Sequence, residues 1–389
     1  MKKILWLASW YPSKVDPFTG DFIERHARAA SLETQIHVLF VVKDENKIFP
    51  ENFFEEHRCY EEGGETTIIY YHSRKHRFGL FEKLRSNFLY FRIHIHFLNK
   101  YIADHGKPDG LHVHTGMKSG LAALFVKFRY GISYVVSEHW AGFCPEAKPN
   151  FSDRSFLFRW LWKKILKNAV GCSAVSEYLA VILQNRFALE KVSVIPNVVD
   201  TNMFFPSSKS VQTARFVHIS ASNSYQKNVY GILDAAALLV HKLPEFSLVI
   251  FGEPDASMEN HVHQLHLEHI VEFKGMCSQE ILREYIQESN ALILYSRYET
   301  FGCVIIEANA CGKPVIVSDI PVFHENVADG QTGVFVEPDN PGLLAEKMLL
   351  LANGHYRFDS ELIQRWATDR YSFEKIGKQF AGFYNRFFN

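Results

Sequence analysis

The sequence predicts an α/β protein built from two parallel-sheet domains, and three observations carry that expectation. Short apolar runs of strand length alternate with helix-patterned segments along almost the whole chain, which is how successive βαβ units read. At 389 residues the chain exceeds what one ordinary core fills and suits two domains of middling size. A turn-rich stretch, Ile195-Pro196-Asn197-Val198-Val199-Asp200, followed by a polar run over 207–213, separates the two sets of strands. The expected division is therefore 1–196, 197–370 and a terminal helix over 371–389.

The opening run Met1-Lys2-Lys3-Ile4-Leu5-Trp6-Leu7-Ala8 imitates a signal peptide, but it is only strand-length and is cut by Tyr11-Pro12. It reads as a first strand over 3–8, followed by a loop and a helix over 22–30. Further strands are expected at 35–42, 67–71, 110–114, 134–137, 171–173 and 192–195. In the second domain they fall at 215–220, 247–251, 271–273, 291–294, 314–317 and 333–336. The tail carries Phe373, Ile376, Phe380 and Tyr384 at helical spacing, an aromatic stripe that needs a surface to bury it. There is no internal repeat and no low-complexity tract.

Composition narrows the class. A hydrophobic share of 47% against 22% charged residues is that of a soluble globular protein. A net charge of −1 speaks against a general nucleic-acid binder. Six cysteines lie scattered without C-x-x-C spacing, which favours reduced thiols in a cytosolic protein over disulfides or a zinc site. No apolar stretch approaches the ~18–20 residues a membrane span needs.

The densest chemistry lies in residues 298–317, Y-E-T-F-G-C-V-I-I-E-A-N-A-C-G-K-P-V-I-V. Glu299 falls on a strand-to-helix loop, and Glu307 one turn inside a helix over 303–311. The backbone N–H groups of Gly302, Cys303 and Val304 stand at that helix's start, where anions are favoured. An anion site between two hydrogen-bonding carboxylates suits a phosphate flanked by hydroxyl-rich groups. The plainer alternative is a helix start with one carboxylate favouring the macrodipole and one on a solvated face. The pattern Glu-x-Phe-Gly-x4-Glu-Ala-x-Ala-x-Gly-x-Pro-Val resembles the retaining GT-B glycosyltransferases of the family 4 type. That resemblance implies two facing Rossmann-like domains with the reaction in an interdomain cleft. It gives Glu299 the donor-sugar hydroxyls and Glu307 the ribose of a nucleotide, with the Phe301-Gly302-Cys303-Val304 backbone near the diphosphate. The Pro196-Asn197-Val198-Val199-Asp200 element matches the family's linker, except that Val198 stands where glycine is usual.

Other residues follow from the same resemblance. Gly20, in the loop after the first strand, matches a position near the diphosphate and acceptor; the simpler alternative is a turn with Asp21 as helix N-cap. His139, in Ser137-Glu138-His139 at the end of a strand, matches a histidine that reaches a donor-sugar hydroxyl. Lys227 matches a lysine that offers charge to the diphosphate. The arginine usual just before it is absent from Ala221-Ser222-Asn223-Ser224, so less phosphate charge is neutralised unless Arg297 or another group compensates. Gly252 matches a glycine near the nucleotide, and Gly275-Met276-Cys277 a base-contacting turn. His112 and His114 share a strand face and have metal-ligand spacing, but no third ligand is evident, so packing and acceptor-pocket hydrogen bonds are the preferred reading.

Two basic–aromatic stretches, 74–91 and 156–167, suit either an anionic membrane surface or a core-facing stripe with a solvated basic face. The expectation is a retaining, metal-free hexosyltransferase without cofactor. It would move sugar from a UDP- or GDP-linked donor to a glycan or lipid-linked hydroxyl in cell-envelope or exopolysaccharide synthesis. Its expected location is cytoplasmic, with peripheral contact at the inner membrane face left open. A nucleotide-sugar 2-epimerase and a non-catalytic partner of the same fold are the alternatives.

Overall fold

Strand residues such as Ile4 to Ala8, Ala291 to Leu294 and Val315 to Ser318 are buried without a break. Only a sheet covered on both faces buries such continuous apolar runs, and parallel sheets flanked by helices are of that kind. The computed structural model describes residues 1–72, 79–207, 213–220 and 224–388. The Arg74–Phe78 part of the first basic stretch, much of the 207–213 run and residues 221–223 lie outside these.

The described chain falls into two units. Unit 1 comprises 1–143, 149–198 and 373–389; unit 2 comprises 144–148 and 199–372. Unit 1 contains β1 (Lys3–Ala8), α1 (Asp21–Ser31), β2 (Gln35–Lys43), β3 (Phe53–Cys59), β4 (Glu65–Tyr71), α2 (Gly79–His105), β5 (Gly110–His114) and α3 (Ser119–Tyr130). It continues with β6 (Tyr134–Glu138), α4 (Phe156–Asn168), β7 (Gly171–Ala174), α5 (Glu177–Phe187) and β8 (Ser193–Val194). The sheet order is β3-β4-β2-β1-β5-β6-β7-β8. All pairs are parallel except β3 with β4, which the alternation of strands and helices did not anticipate.

Unit 2 contains β9 (Ala214–Ile219), α6 (Ser224–Lys227), α7 (Val229–Leu239), β10 (Phe246–Phe251), α8 (Ala256–Gln264), β11 (Val271–Gly275), α9 (Gln279–Gln287) and β12 (Ala291–Leu294). After these come α10 (Cys303–Ala310), β13 (Val315–Ser318), β14 (Gly333–Val336), α11 (Pro341–Ala352) and α12 (Ser360–Tyr371). Its sheet is wholly parallel, in the order β11-β10-β9-β12-β13-β14. Both sheets reverse their strand order beside the first strand, at β1/β5 and at β9/β12. Open α/β sheets bind ligands at such reversals, beyond the carboxyl ends of the strands.

The last helix, α13 (Phe373–Phe387), belongs to unit 1 and packs on α1. Phe373, Ile376, Phe380, Phe383 and Tyr384 are buried with Trp6, Ile23 and Ala27 in one core. The helices approach so closely that a Cβ on Gly377 would lie 2.3 Å from the carbonyl oxygen of Ala29. Val198, which replaces the expected linker glycine, is fully buried in this same core.

Candidate functional site

In unit 2 the sequence-predicted residues gather at the carboxyl ends of β9, β10 and β12. Glu299 lies beyond β12, only 6% exposed. Its Oε1 pairs with Lys227 Nζ on α6 and accepts a hydrogen bond from Ser296 Oγ at 3.1 Å. The Lys227 side chain keeps about a fifth of its surface exposed, so the pair stands at the rim of the unit. Arg297 does not supply a spare cation: it pairs with Asp339 at 2.8 Å and donates to the Tyr225 carbonyl at 2.8 Å. It therefore anchors the backbone leading to Lys227.

Gly302 caps α10 with φ 89° and makes no side-chain cap hydrogen bond. A side chain is excluded there by conformation and by space, since a Cβ would meet Phe323, Ile305 and Leu294 at 3.0–3.1 Å. The first-turn amides of Cys303 and Val304 thus begin a helix whose dipole favours an anion. Phe301 contributes backbone only: its ring is buried against Tyr371 at 5.7 Å, and its carbonyl accepts from Asn326 Nδ2 at 2.7 Å. Glu307 is 5% exposed on α10, which excludes the solvated-face alternative. Gly252, at the end of β10 with φ 120°, donates its N–H to the Gly275 carbonyl at 2.9 Å. A Cβ there would overlap the Ser220 carbonyl oxygen at 1.9 Å, so only glycine lets β10 end so near β9.

His218, on β9, was not anticipated. Its Nδ1–H donates to the Ile293 carbonyl at 2.9 Å, so Nε2 accepts from Ser220 Oγ at 3.0 Å. Burial, aided by the Lys227 charge and opposed by the Ile293 bond, holds it down to about 4. This imidazole is neutral and fixes the end of β9.

In unit 1, Gly20 rather than Asp21 caps α1, with φ 85°. Asp21 instead sits in the first turn and pairs with Arg25 at 3.0 Å. A Cβ on Gly20 would press on the Trp10–Tyr11 backbone at 2.6 Å, so this close approach requires glycine. Both ring nitrogens of His112 are satisfied: Tyr384 Oη lies 2.7 Å from Nδ1 and Ser137 Oγ 2.7 Å from Nε2. His139, buried beyond β6, packs by Phe22 at 4.9 Å, His26 at 5.5 Å and His114 at 5.8 Å. Burial holds it well below the usual histidine range, with His26 and His112 acting in the same direction.

Of the aromatic stretches, Trp162 is buried, whereas Phe156, Leu157 and Trp160 are exposed at the start of α4. No helix among the described residues is long and apolar enough to cross a membrane.

The family described as Glycosyl transferases group 1 matches residues 200–367, and Glycosyltransferase Family 4 matches 37–203. The chain is a group 1 glycosyltransferase of the family 4 type. It is 27% identical over 256 residues to an uncharacterised glycosyltransferase of Methanocaldococcus jannaschii, covering 66% of this chain and 69% of that one. Against other curated relatives the matched stretch spans from 17% to 76% of their length. A sucrose-phosphate synthase from Thermosynechococcus elongatus shares the fold with a TM-score of 0.77 at 19% identity, over 99% of both chains. Anabaena HepE in complex with UDP does so with a TM-score of 0.72 at 16% identity, over 99% of this chain and 100% of that one. The glycosyltransferase has the GT-B fold.

Proposed function

We propose that this glycosyltransferase moves a hexosyl group from a UDP- or GDP-linked donor to a glycan or lipid-linked hydroxyl. Transfer would retain the anomeric configuration and serve cell-envelope or exopolysaccharide synthesis. The observation that carries the donor half is the set at the β9/β12 reversal: Lys227, Glu299, the glycine-capped start of α10 and buried Glu307. A UDP complex of a fold neighbour supports a nucleoside diphosphate as the leaving group.

On this reading the diphosphate draws Lys227 away from Glu299 and settles at the start of α10. Glu299 Oε1, released from its ion pair, then accepts from a donor-sugar hydroxyl, and Glu307 holds the ribose. As the bond from anomeric carbon to phosphate oxygen breaks, negative charge grows on the diphosphate. Lys227 and the α10 dipole stabilise it, while the acceptor oxygen bonds to the anomeric carbon on the same face and passes its proton to the departing phosphate. Such preorganised electrostatics is commonly the largest catalytic contribution. His139 orients a sugar hydroxyl through a neutral ring nitrogen. No metal is assigned a part in the transfer.

The exposed Phe156, Leu157 and Trp160, with Arg159, Lys163, Lys164 and Lys167 on the same helix and no acidic residue, support peripheral contact with an anionic membrane. Protein left wholly in the supernatant after sedimentation with anionic vesicles would overturn that contact.

Thermal unfolding with UDP, GDP, ADP and AMP tests the donor. At ~100 Kd a ligand of the native state adds about 2.7 kcal/mol, a rise of roughly 3 °C for a 389-residue chain that unfolds as one unit. One nucleoside diphosphate is expected to raise the midpoint, and Glu307→Ala to cut that rise to about half or less. No shift with any nucleotide overturns the reading.

A further inference from the structure

The β1/β5 reversal of unit 1 brings together three histidines that no sequence spacing connects. His26 comes from α1, His114 ends β5 and His139 follows β6; all are buried. One ring nitrogen from each lies within 4.8 Å of the other two. His114 stacks on Trp6 at 3.9 Å, and neither of its ring nitrogens has a hydrogen-bond partner. Buried polar atoms are rarely left so, because each unsatisfied atom costs about 1–3 kcal/mol.

His26 shows which lone pair is on offer. Its Nε2 lies 2.9 Å from the Pro196 carbonyl, which can only accept, so Nε2 carries the proton. Nδ1 therefore bears the lone pair; it is buried and also lacks a hydrogen-bond partner. A histidine whose second nitrogen is held by a backbone carbonyl is the usual arrangement of a metal ligand. Burial keeps His26, at about 4, and His114 and His139, well below their usual range, in the neutral form that ligates metals.

We propose that His26, His114 and His139 form a site for a late first-row divalent cation, zinc or cobalt being the natural occupants. Three imidazoles without a carboxylate suit these ions and not magnesium or calcium. Ligation at about 2.0–2.1 Å brings ligand nitrogens to roughly 3.3 Å from one another. From 4.8 Å, side-chain rotations of about an ångström each suffice. The sequence shows only His112 and His114 at ligand spacing; the fold withdraws His112 to Tyr384 and Ser137 and supplies His26 and His139 instead.

The site goes beyond the transfer reaction and does not depend on it. One corollary does rest on the transferase reading: an ion on His139 would occupy the nitrogen meant for the sugar hydroxyl. Turnover would then fall while nucleoside diphosphate binding stayed unchanged.

The test uses the full chain, stripped by a chelator and titrated with Co²⁺, with Zn²⁺ measured by dialysis and elemental analysis. One ion per chain is expected, with the visible d–d absorption of nitrogen-ligated, four-coordinate Co²⁺. His26→Gln and His114→Gln should each weaken binding at least ~10-fold while the metal-free proteins still unfold cooperatively. Should either variant fail to fold, the wild-type Co²⁺ spectrum decides. Sub-stoichiometric binding without that band, or binding unchanged in both variants, overturns the site. The latter result would place the ion on surface imidazoles such as His263.

Discussion

The two units place their candidate chemistry at the same topological position but fill it with opposite electrostatics. At the β9/β12 reversal of unit 2 stand a lysine, two buried carboxylates and the start of a helix. At the β1/β5 reversal of unit 1 stand His26, His114 and His139, all held neutral by burial. Topology decides where a ligand meets each sheet, and charge decides which ligand that is. In unit 2, on the proposed reading, Lys227 and the start of α10 would meet a diphosphate. The imidazoles of unit 1 bring no charge to do so and offer lone pairs and N–H groups to neutral hydroxyls or to a metal ion.

The contrast breaks most directly at Glu299. If unit 2 divides its work between carboxylates, Glu299→Ala should lower kcat by ~10²–10³-fold, the scale of losing one aligned polar contact in the transition state. Nucleoside diphosphate affinity should stay within about threefold, because Lys227 loses a competitor rather than a partner for phosphate. Glu307→Ala should do the reverse, weakening nucleotide binding by roughly 10–100-fold as one charge-assisted hydrogen bond is lost. Steady-state kinetics beside calorimetric titration with the nucleotide separates the two. Equal losses of affinity in both variants would end the division of labour.

How much of this contrast could be read from the chain depends on how local each feature is. Glu299, Gly302 and Glu307 lie within nine consecutive residues, so a strand–loop–helix reading was enough to place them. The strands at 3–8, 110–114, 291–294 and 333–336 were legible at their observed bounds because burial on both faces writes a continuous apolar run. Strand β3 was not: Phe53-Phe54-Glu55-Glu56-His57-Arg58-Cys59 is an edge strand, and charged residues that discourage further pairing also erase the apolar pattern. The histidine group was equally hidden. Strand alternation puts His112 and His114 on one face, but only the folded neighbours show that His112 is satisfied and His114 is not. His26 joins them from a distant helix, and no spacing rule reaches that far. Arg297 carries the same lesson, since its charge is spent on Asp339 across the fold.

A smaller effect sharpens the comparison from within unit 2, which holds a neutral imidazole of its own. His218 has a usual value near 6.5 when unfolded and about 4 when folded, because burial and the nearby Lys227 oppose its charge. Between these values the unfolded chain binds a proton that the native chain does not, so stability rises with pH there. The contribution is complete above pH ~6.5 and lost as pH falls through 6.5 to 4, at most roughly 3 kcal/mol. His218→Gln retains a donor for the Ile293 carbonyl and an acceptor for Ser220 but cannot titrate. Buried histidines elsewhere, His94 among them, add acid sensitivity of their own, so the informative quantity is the difference between wild type and variant. That difference, followed by denaturant unfolding, should shift in favour of the variant as pH drops from 7 to 4. If the two curves run parallel over that range, His218 is not a buried neutral imidazole, and its protonation state at the charged reversal of unit 2 must be reassigned.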